Sequence, residues 1–494
     1  MKNIPNKHRP DTLATSYPAV AIIIVTYNKI DFVLTLLKQL TDYAYPNTTV
    51  FVVDNNSRDG TPAAIRSQFP QINLIETGAN LGGTGGFNHG LKAVLKHGSF
   101  KYVWLLDNDV EIKPGALEVL IETLEKRPDA AVAGSHIMQL DNPHVTNEIG
   151  AYVDLAGGRL LLNQHGTREW MHSREIYEVD YVAACSMLVR ANVLKQVGLL
   201  DDFFIHYDDV DWCLRIKKQG HKVLACAASR IMHISANAKS TTWILYYDLR
   251  NILYLQHKHG NFGLRHYSKF AMLFLLYSIR DELCGKTEFG WLRYYAFRDF
   301  LHGNMGKCDS LPDIGTVSLK NRMDEIMDSH PTTILIQEPL KQVLFDKNQT
   351  EHAAARGIDI ISVCNSRESR FRGTPHTTQH LRLPENKILM AVKLLQIACT
   401  RRKADYLFVE IDRPCGLLGL GAKRIIHLVN GRCREEPGGF RRLLGTWRWP
   451  VLWFRLLARL LLFKLRHKKP VPYNTRQTIP IGVEFSKQGR NLGE

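Results

Sequence analysis

The sequence predicts an α/β fold with a parallel sheet covered by helices on both faces, and three observations carry that expectation. Short β-branched apolar runs alternate with segments whose apolar residues recur at helical spacing. Several runs end in clusters of small polar residues, always at the same end, where open α/β sheets bind ligands. The 494 residues are 45% hydrophobic and 23% charged, enough for a large core and about two to three domains.

The elements follow in order. "AVAIIIVTYN" reads as a buried strand, because a strand covered on both faces is apolar throughout. "DFVLTLLKQL" places apolar residues at 32, 33, 36, 37 and 40, a helical spacing. "TTVFVVDNNS", "QINLIET" and "YVWLLDNDV" are three further strands, and "AAVAGSH" is a candidate fifth. Their ends carry Thr26-Tyr27-Asn28, Asp54-Asn55-Asn56 and Asp107-Asn108-Asp109. Past residue 265 the alternation weakens. Residues 266–310 read as helical and aromatic, and "TTILIQ", "IDIISVCN", "DYLFVEID" and "RIIHLVN" suggest a second, smaller α/β domain. The expected organisation is a polar tail over 1–17, an α/β domain over 18–265, a helical segment over 266–310, a small α/β domain over 311–435 and a basic tail over 436–494.

Composition narrows the function classes. Nine cysteines without a CxxC pair point to reduced thiols, a cytosolic setting and no zinc site of the usual spacing. The polar N-terminus lacks the apolar stretch of a signal peptide, and no apolar run approaches the roughly 20 residues of a membrane span. Of the net charge of +16, an excess of 13 lies in residues 401–494, with 20 Lys and Arg against 7 Asp and Glu. Such an asymmetry suits an anionic membrane or a nucleic acid, or is simply solvated.

Several residues could carry chemistry. Asp107 and Asp109 bracket one residue at a strand end, where two carboxylates can approach one hard cation such as Mg²⁺ or Mn²⁺; a turn or helix cap uses the same residue types. "GANLGGTGGFNHG" leads into a helical pattern and could cradle a phosphate with its backbone amides, or be a flexible loop. It lacks the dinucleotide spacing. His233 follows a strand-like run; alone it reads more readily as structural than as a ligand. "FFIHYDDVDWCLR" crowds Asp208, Asp209 and Asp211 among aromatic residues, although neighbouring carboxylates repel and resist desolvation. A capped helix start with Phe203 and Phe204 in the core would explain the aromatics but leaves Asp208 and Asp209 without a reason.

Taken together and in this order, "VAIIIVTYN", "VVDNNSRDGT", "NLGGTGGFNHG", "LLDNDVEIKPGAL", "FFIHYDDVDWCLRIKKQGHKV" and "MHIS" resemble a family 2 glycosyltransferase of the GT-A fold. The resemblance covers roughly residues 18–260 and is nearest in motif to galactofuranosyltransferases, with rhamnosyltransferases as neighbours. It implies an inverting transfer from a nucleotide-sugar, UDP-galactofuranose first and dTDP-rhamnose second, to a glycan or polyprenyl-linked acceptor in cell-surface polysaccharide synthesis. Thr26, Tyr27, Asn28, Asp54 and Asn55 would hold the nucleoside, and Asn80, Gly82, Gly83 and Gly86 would lie against the donor. Asp107, Asp109 and His233 would bind Mn²⁺ or Mg²⁺ on the diphosphate. Asp209 would be the general base, Asp208 would bind sugar hydroxyls, and Tyr207 and Trp212 would offer faces to a sugar ring. Asp211 would cap or orient the following helix. Polymerising galactofuranosyltransferases carry a tryptophan pair before the acidic block; here "VDYVAACSMLVRA" has Ala183, Ala184 and Cys185, which implies a smaller or different acceptor.

The tail "RRLLGTWRWPVLWFRLLARLLLFKLRHKKP" reads as a basic amphipathic helix starting near Pro450. Arg455, Arg459 and Arg466 fall within about 40° on a wheel of 100° per residue, Lys464 is an exception, and Trp447, Trp449 and Trp453 lie near its start. It suits a membrane interface, or a helix packed on the protein's own second domain. The location expected from all this is cytoplasmic, at the inner membrane face. Two other classes are less well served. A nucleotidyltransferase would want a basic residue in the glycine loop, and Gly82–Gly86 holds none; a nucleic-acid binder would space polar readers along its basic helix rather than Leu and Trp.

Overall fold

The structure is a computed structural model. It describes residues 17–309 apart from 44, 99, 169–174, 234–242 and 284–286, then 311, 317–329, 331, 333–337, 355, 358–365, 379–383, 404–410, 422–429, 432–437 and 446–466. Of the expected polar tail over 1–17, residues 1–16 lie outside the described residues, as does the chain after 466.

The first half of the chain alternates as its sequence pattern requires: β1 (Val20–Thr26), α1 (Ile30–Thr41), β2 (Thr48–Asp54), α2 (Thr61–Gln68), β3 (Asn73–Glu76), α3 (Gly82–His97) and β4 (Tyr102–Asp107). There follow β5 (Val110–Ile112), α4 (Ala116–Lys126), β6 (Ala130–Gln139), β7 (Thr146–Glu148), the hairpin β8 (Ala151–Asp154) and β9 (Arg159–Leu162), then β10 (Ile176–Val179), β11 (Ser186–Arg190), α5 (Val193–Val197), α6 (Asp208–Lys218) and β12 (Lys222–His233). They build a ten-stranded sheet in the order β10-β12-β6-β11-β4-β1-β2-β3, with β5 beside β12 and β7 beside β6. β1 to β4 are mutually parallel, but β11 enters antiparallel between β4 and β6. The sheet is therefore mixed, where helix–strand alternation predicted a parallel one; between β6 and β11 the described elements are the short strands β7 to β10 and no helix, so no helical crossover requires β11 to run parallel.

Period-two alternation divides the core between the two faces. Ile23, Phe51 and Val53 meet Phe87 and Leu91 of α3 and Trp212 and Ile216 of α6. Ile22, Ile24 and Val52 meet Val33, Leu36 and Leu37 of α1 and Leu117, Leu120 and Leu124 of α4. The glycine-rich stretch expected as a loop is instead the first turns of α3, because Gly86 and Gly90 let that helix touch the sheet. A Cβ at Gly86 would lie 2.4 Å from Val25 Cγ1, and one at Gly90 2.4 Å from Ile23 Cγ2.

Three helices follow: α7 (Ile244–His259), α8 (Leu264–Leu283) and α9 (Thr287–His302). A second sheet then forms from β13 (Val317–Ser318), β14 (Thr333–Gln337), β15 (Asp359–Asn365), β16 (Gln379–Leu383), β17 (Ala404–Glu410), β18 (Ala422–Val429) and β19 (Arg432–Pro437), with α10 (Leu319–Asp328) packed on it. Its order is β13-β19-β18-β17-β14-β15-β16. All four strand-like runs seen in the sequence here, now β14, β15, β17 and β18, are parallel strands of that sheet. The chain's last described element, α11 (Arg448–Arg466), packs Trp449, Trp453, Leu456 and Leu460 against Phe274 of α8 and Phe297 of α9. Trp449 and Trp453 are thus core residues rather than part of an outward tryptophan belt. Among the described residues, no helix is long and apolar enough to cross a membrane.

Gly90→Val is expected to lower the thermal unfolding midpoint. Overpacking costs about 1–3 kcal/mol, more than the few tenths that replacing glycine in a helix returns. Scanning calorimetry checks this; an unchanged midpoint would show that the helix can move off the sheet at no cost.

Candidate active site

Register brings the polar strand ends together. Thr26 pairs with Asp54 across β1 and β2, and Val25 pairs with Asp107 across β1 and β4. Asn108 Nδ2 donates to Thr26 Oγ1 at 2.9 Å. Asp54 is buried; its Oδ2 accepts from the Ser57 amide at 2.9 Å, while Oδ1 has no hydrogen-bond partner. The Asn28 amide donates to Ser57 Oγ at 2.9 Å and its Oδ1 accepts from the Arg58 amide at 2.7 Å, which holds the two loops side by side. Tyr27 is exposed beside them. Asn55 Nδ2 donates to the Gly82 carbonyl at 2.8 Å, and the Gly82 amide donates to Asn80 Oδ1 at 3.0 Å.

His233 reaches the acidic pair through strand pairing. β5 runs antiparallel to the end of β12, setting His233 opposite Val110, the residue after Asp109. His233 Nε2 lies 3.0 Å from Asp109 Oδ1 and 3.5 Å from Asp107 Oδ2. Burial alone would lower its pKa; the hydrogen bonds and charges of the two carboxylates raise it to about 9. One donor atom from each of the three residues lies within 4.8 Å of the others. Two carboxylate oxygens and an imidazole nitrogen fit a divalent cation such as Mg²⁺ or Mn²⁺.

The acidic block is anchored from α7. Phe204, His206 and Tyr207 have φ of 69°, 60° and 68°, a left-handed run of non-glycine residues. Asn251 Nδ2 donates to the carbonyls of Phe203, Ile205 and His206, and Arg250 Nη2 to that of Phe203. The Phe204 carbonyl accepts from the Thr84 amide at 3.2 Å, and a Cβ at Gly82 would strike that same carbonyl oxygen at 2.0 Å. Two amides at the start of α3, those of Gly82 and Thr84, are therefore committed to Asn80 and Phe204. That narrows the phosphate cradle expected there.

Each aspartate of the block has its own surroundings. Asp208 is buried, with Oδ2 accepting from Thr84 Oγ1 at 2.8 Å, and burial raises its pKa. Asp209 Oδ2 accepts from the Ala184 amide at 3.1 Å and Oδ1 from the Val210 amide at 2.8 Å. Burial and then the Asp208 charge push Asp209 up to about 7. Asp211 does not cap the helix. It is buried in an ion network, accepting from Arg215 Nε at 2.8 Å and His259 Nε2 at 2.7 Å, with Lys258 Nζ at 2.7 Å. Burial would raise its pKa, but these donors hold it well below the usual carboxylate range. Trp212 is corrected outright: it is fully buried in the core, its indole N–H donating to the Gly198 carbonyl at 2.9 Å, and offers no face to a sugar. Tyr207 is half-buried at the rim.

Two contributions escaped the sequence reading. The Ala184 amide binds Asp209, and the next residue's carbonyl, that of Cys185, accepts from the Asp107 amide at 3.4 Å. Glu148 on β7 is buried and raised to about 7, chiefly by burial; it lies near enough to His233 and Asp209 to sense both charges. Its Oε1 has no hydrogen-bond partner. No local pattern marks Glu148, because its surroundings are non-local: β7 pairs with β6, and the Tyr181 hydroxyl donates to Glu148 Oε2 at 3.5 Å.

Residues 21–195 match the family model described as "Glycosyl transferase family 2". The chain carries a family 2 glycosyltransferase domain. The mixed α/β sheet agrees with the GT-A fold that the sequence motifs implied. The glycosyltransferase domain is similar to galactofuranosyltransferase GlfT2 of Mycobacterium tuberculosis, 23% identical over 265 residues, 49% of this chain and 41% of the relative. It is also similar to an N-acetylglucosaminyl-diphospho-decaprenol L-rhamnosyltransferase of the same species, 26% identical over 234 residues, 44% of this chain and 76% of the relative. The match thus spans less than half the length of GlfT2. Among solved structures, the mannosyltransferase PcManGT from Pyrobaculum calidifontis, in complex with GDP-Man and Mn²⁺, aligns over 69% of this chain and 88% of its own at 15% identity, with a TM-score of 0.38.

Asp109→Ala is expected to weaken Mn²⁺ binding at least about tenfold in calorimetric titration, since two protein ligands remain; undiminished binding would place the cation elsewhere. Asn251→Ala removes the side-chain donor to the Ile205 and His206 carbonyls, while Arg250 still reaches that of Phe203, at about 1–3 kcal/mol for each group left unsatisfied. It is expected to expose residues 203–207 to limited proteolysis while Mn²⁺ binding persists, and resistance equal to the parent would refute its anchoring role.

Proposed function

We propose that the protein is a metal-dependent, inverting glycosyltransferase that moves a hexose from a nucleotide-sugar to a lipid-linked glycan acceptor at the cytoplasmic membrane face. Galactofuranose is the first choice of sugar and rhamnose the second, in line with what the two mycobacterial relatives are named for. One observation carries the reading: the consecutive residues Ala184 and Cys185 bind Asp209 and Asp107 through their backbone, so a carboxylate with a pKa near 7 sits beside a cation-type ligand set.

In this reading Thr26, Tyr27, Asn28, Asp54 and Asn55 hold the nucleoside, with the free Asp54 Oδ1 as an acceptor for a base or ribose donor. Asn80, Gly82 and Gly83 line the donor side; Gly86, which the sequence motifs also placed there, is buried against Val25 of β1 and holds α3 to the sheet instead. Asp107, Asp109 and His233 hold the divalent cation, which when bound offsets the charge building on the diphosphate. Asp209 takes the proton of the acceptor hydroxyl as that oxygen forms a bond to the anomeric carbon. The carbon–oxygen bond to the diphosphate breaks on the opposite face, which inverts the centre. Asp208 and Tyr207 border the acceptor. Ala183, Ala184 and Cys185 stand where polymerising galactofuranosyltransferases carry a tryptophan pair, in line with a smaller or different acceptor.

The protonation state of Asp209 sets the pH response. Its pKa is raised and the base is the deprotonated form, so transfer should rise with pH through about 7 and fall away below it. Asp209→Asn is expected to keep donor binding, lose about 10²-fold or more in transfer, and flatten that acidic limb. Nucleotide release from a panel of sugar nucleotides, with a lipid-linked acceptor and with and without Mn²⁺, makes both measurements. Turnover equal to the parent in Asp209→Asn would remove it as the base.

A further inference from the structure

Two helices that pack against each other each leave an apolar face uncovered. On α8, Tyr267, Ala271 and Phe274 face the core, while Met272, Leu273, Leu276 and Tyr277 lie on the opposite side, between 42% and 54% exposed. On α11, Trp449, Trp453 and Leu456 face the core, while Val451 and Phe454, with Trp447 just before the helix, are 57%, 73% and 77% exposed. These seven are half of the exposed large hydrophobic residues of the described structure. A helix that is apolar all round is normally covered on every side, and adjoining exposed apolar residues mark an interaction surface.

The charges on these faces indicate what covers them. Arg265 and Lys269 are exposed on α8, and Arg455 and Arg459 on α11. The acidic residues of α8, Asp281 and Glu282, are both buried, and α11 contains none. Every exposed formal charge on either helix is therefore positive. A second copy docking through these faces would bring like charges together and strip them of water, whereas an anionic lipid surface accepts apolar side chains between its headgroups and pairs with the arginines and lysine.

We infer that the outer faces of α8 and α11 form an interfacial docking surface for an anionic lipid bilayer. The inserting residues are Leu273 and Leu276 of α8, Trp447 just before α11 and Phe454 on it; Trp449 and Trp453 are buried and take no part. The inference deepens the reading of a lipid-linked acceptor and rests on it: the surface would keep the glycosyltransferase domain at the membrane that carries its acceptor.

The test is co-sedimentation of the full chain with vesicles of phosphatidylcholine alone or mixed with phosphatidylglycerol, at low and high salt. The parent should bind the anionic vesicles and release in high salt. The double variant Leu273→Glu/Leu276→Glu and the single variant Phe454→Glu should each bind at least about tenfold more weakly. Arg455→Glu/Arg459→Glu should lose the preference for anionic lipid. Since all these side chains are exposed, each variant should keep the parent's unfolding midpoint and Mn²⁺ binding, which separates lost docking from lost folding. No binding of the parent to anionic vesicles overturns the inference, as does binding unchanged in every variant. So does a concentration-dependent dimer that the same substitutions abolish, which would assign the faces to a second copy. Nucleotide release measured on the same samples with a detergent-soluble acceptor keeps the two readings apart: vesicle binding without transfer would count against the transferase assignment alone, and transfer without vesicle binding against the docking surface alone.

Discussion

The site depends on a backbone run that is unfavourable by itself. Phe204, His206 and Tyr207 all adopt left-handed φ, at a cost of order 1–3 kcal/mol each for residues other than glycine. Such a run persists only where its surroundings over-determine it. Asn251 gives three hydrogen bonds to its carbonyls, and Arg250 reaches it and the Gly306 carbonyl as well. The strain turns the chain sharply enough to start α6 at Asp208, so that Asp208 and Asp209 occupy its first turn, where the helix dipole favours negative charge. In the same first turn, Asp211 binds Lys258 and His259 of α7 and clamps α6 to α7. Helix α7 therefore supports the acidic block twice, by hydrogen bonds to its backbone and by charge.

The crowding of Asp208, Asp209 and Asp211 is resolved by giving each a different partner. Asp211 is compensated by three cationic or imidazole donors and stays ionised. Asp208 shares a hydrogen bond with Thr84 and links α6 to α3. Asp209 has only backbone amides, and burial beside Asp208 lifts its proton affinity toward neutrality. Three identical side chains within four residues thus become a clamp, a tie and a carboxylate of raised proton affinity, according to what the tertiary structure sets beside each.

The C-terminal part of the chain is used in a similarly divided way. One face of α11 completes a core shared with α8 and α9: Trp449 lies against Gly290, where a Cβ would come within 2.6 Å of the indole, and its N–H donates to Glu282 Oε2 at 3.3 Å. The other face keeps Trp447 and Phe454 in solvent. Both faces are apolar, so a wheel drawn from the sequence cannot say which is turned inward.

What the sequence by itself determined is local and repetitive. The apolar runs at 20–26, 48–54 and 102–107, and the parallel strands after residue 333, follow from β-branched composition and length. The polar strand ends follow from where those runs stop, and their ordered motifs identify the family. What only the tertiary structure decided is non-local. The antiparallel insertion of β11 makes the sheet mixed, and the pairing of β5 with β12 carries His233 to Asp109 across 124 residues of chain. Pairing of β7 with β6 and the approach of Tyr181 surround Glu148, and the fit of α6 on the sheet sends Trp212 into the core although its neighbours in sequence line the site. The glycines of α3 read as a loop because glycine is a poor helix former; the structure needs Gly86 and Gly90 in the helix because a side chain at either would hold it off β1. The physical reason is common to all of these: backbone propensity and periodicity act over a few residues, whereas burial, register and charge environment depend on which distant segments come to lie alongside.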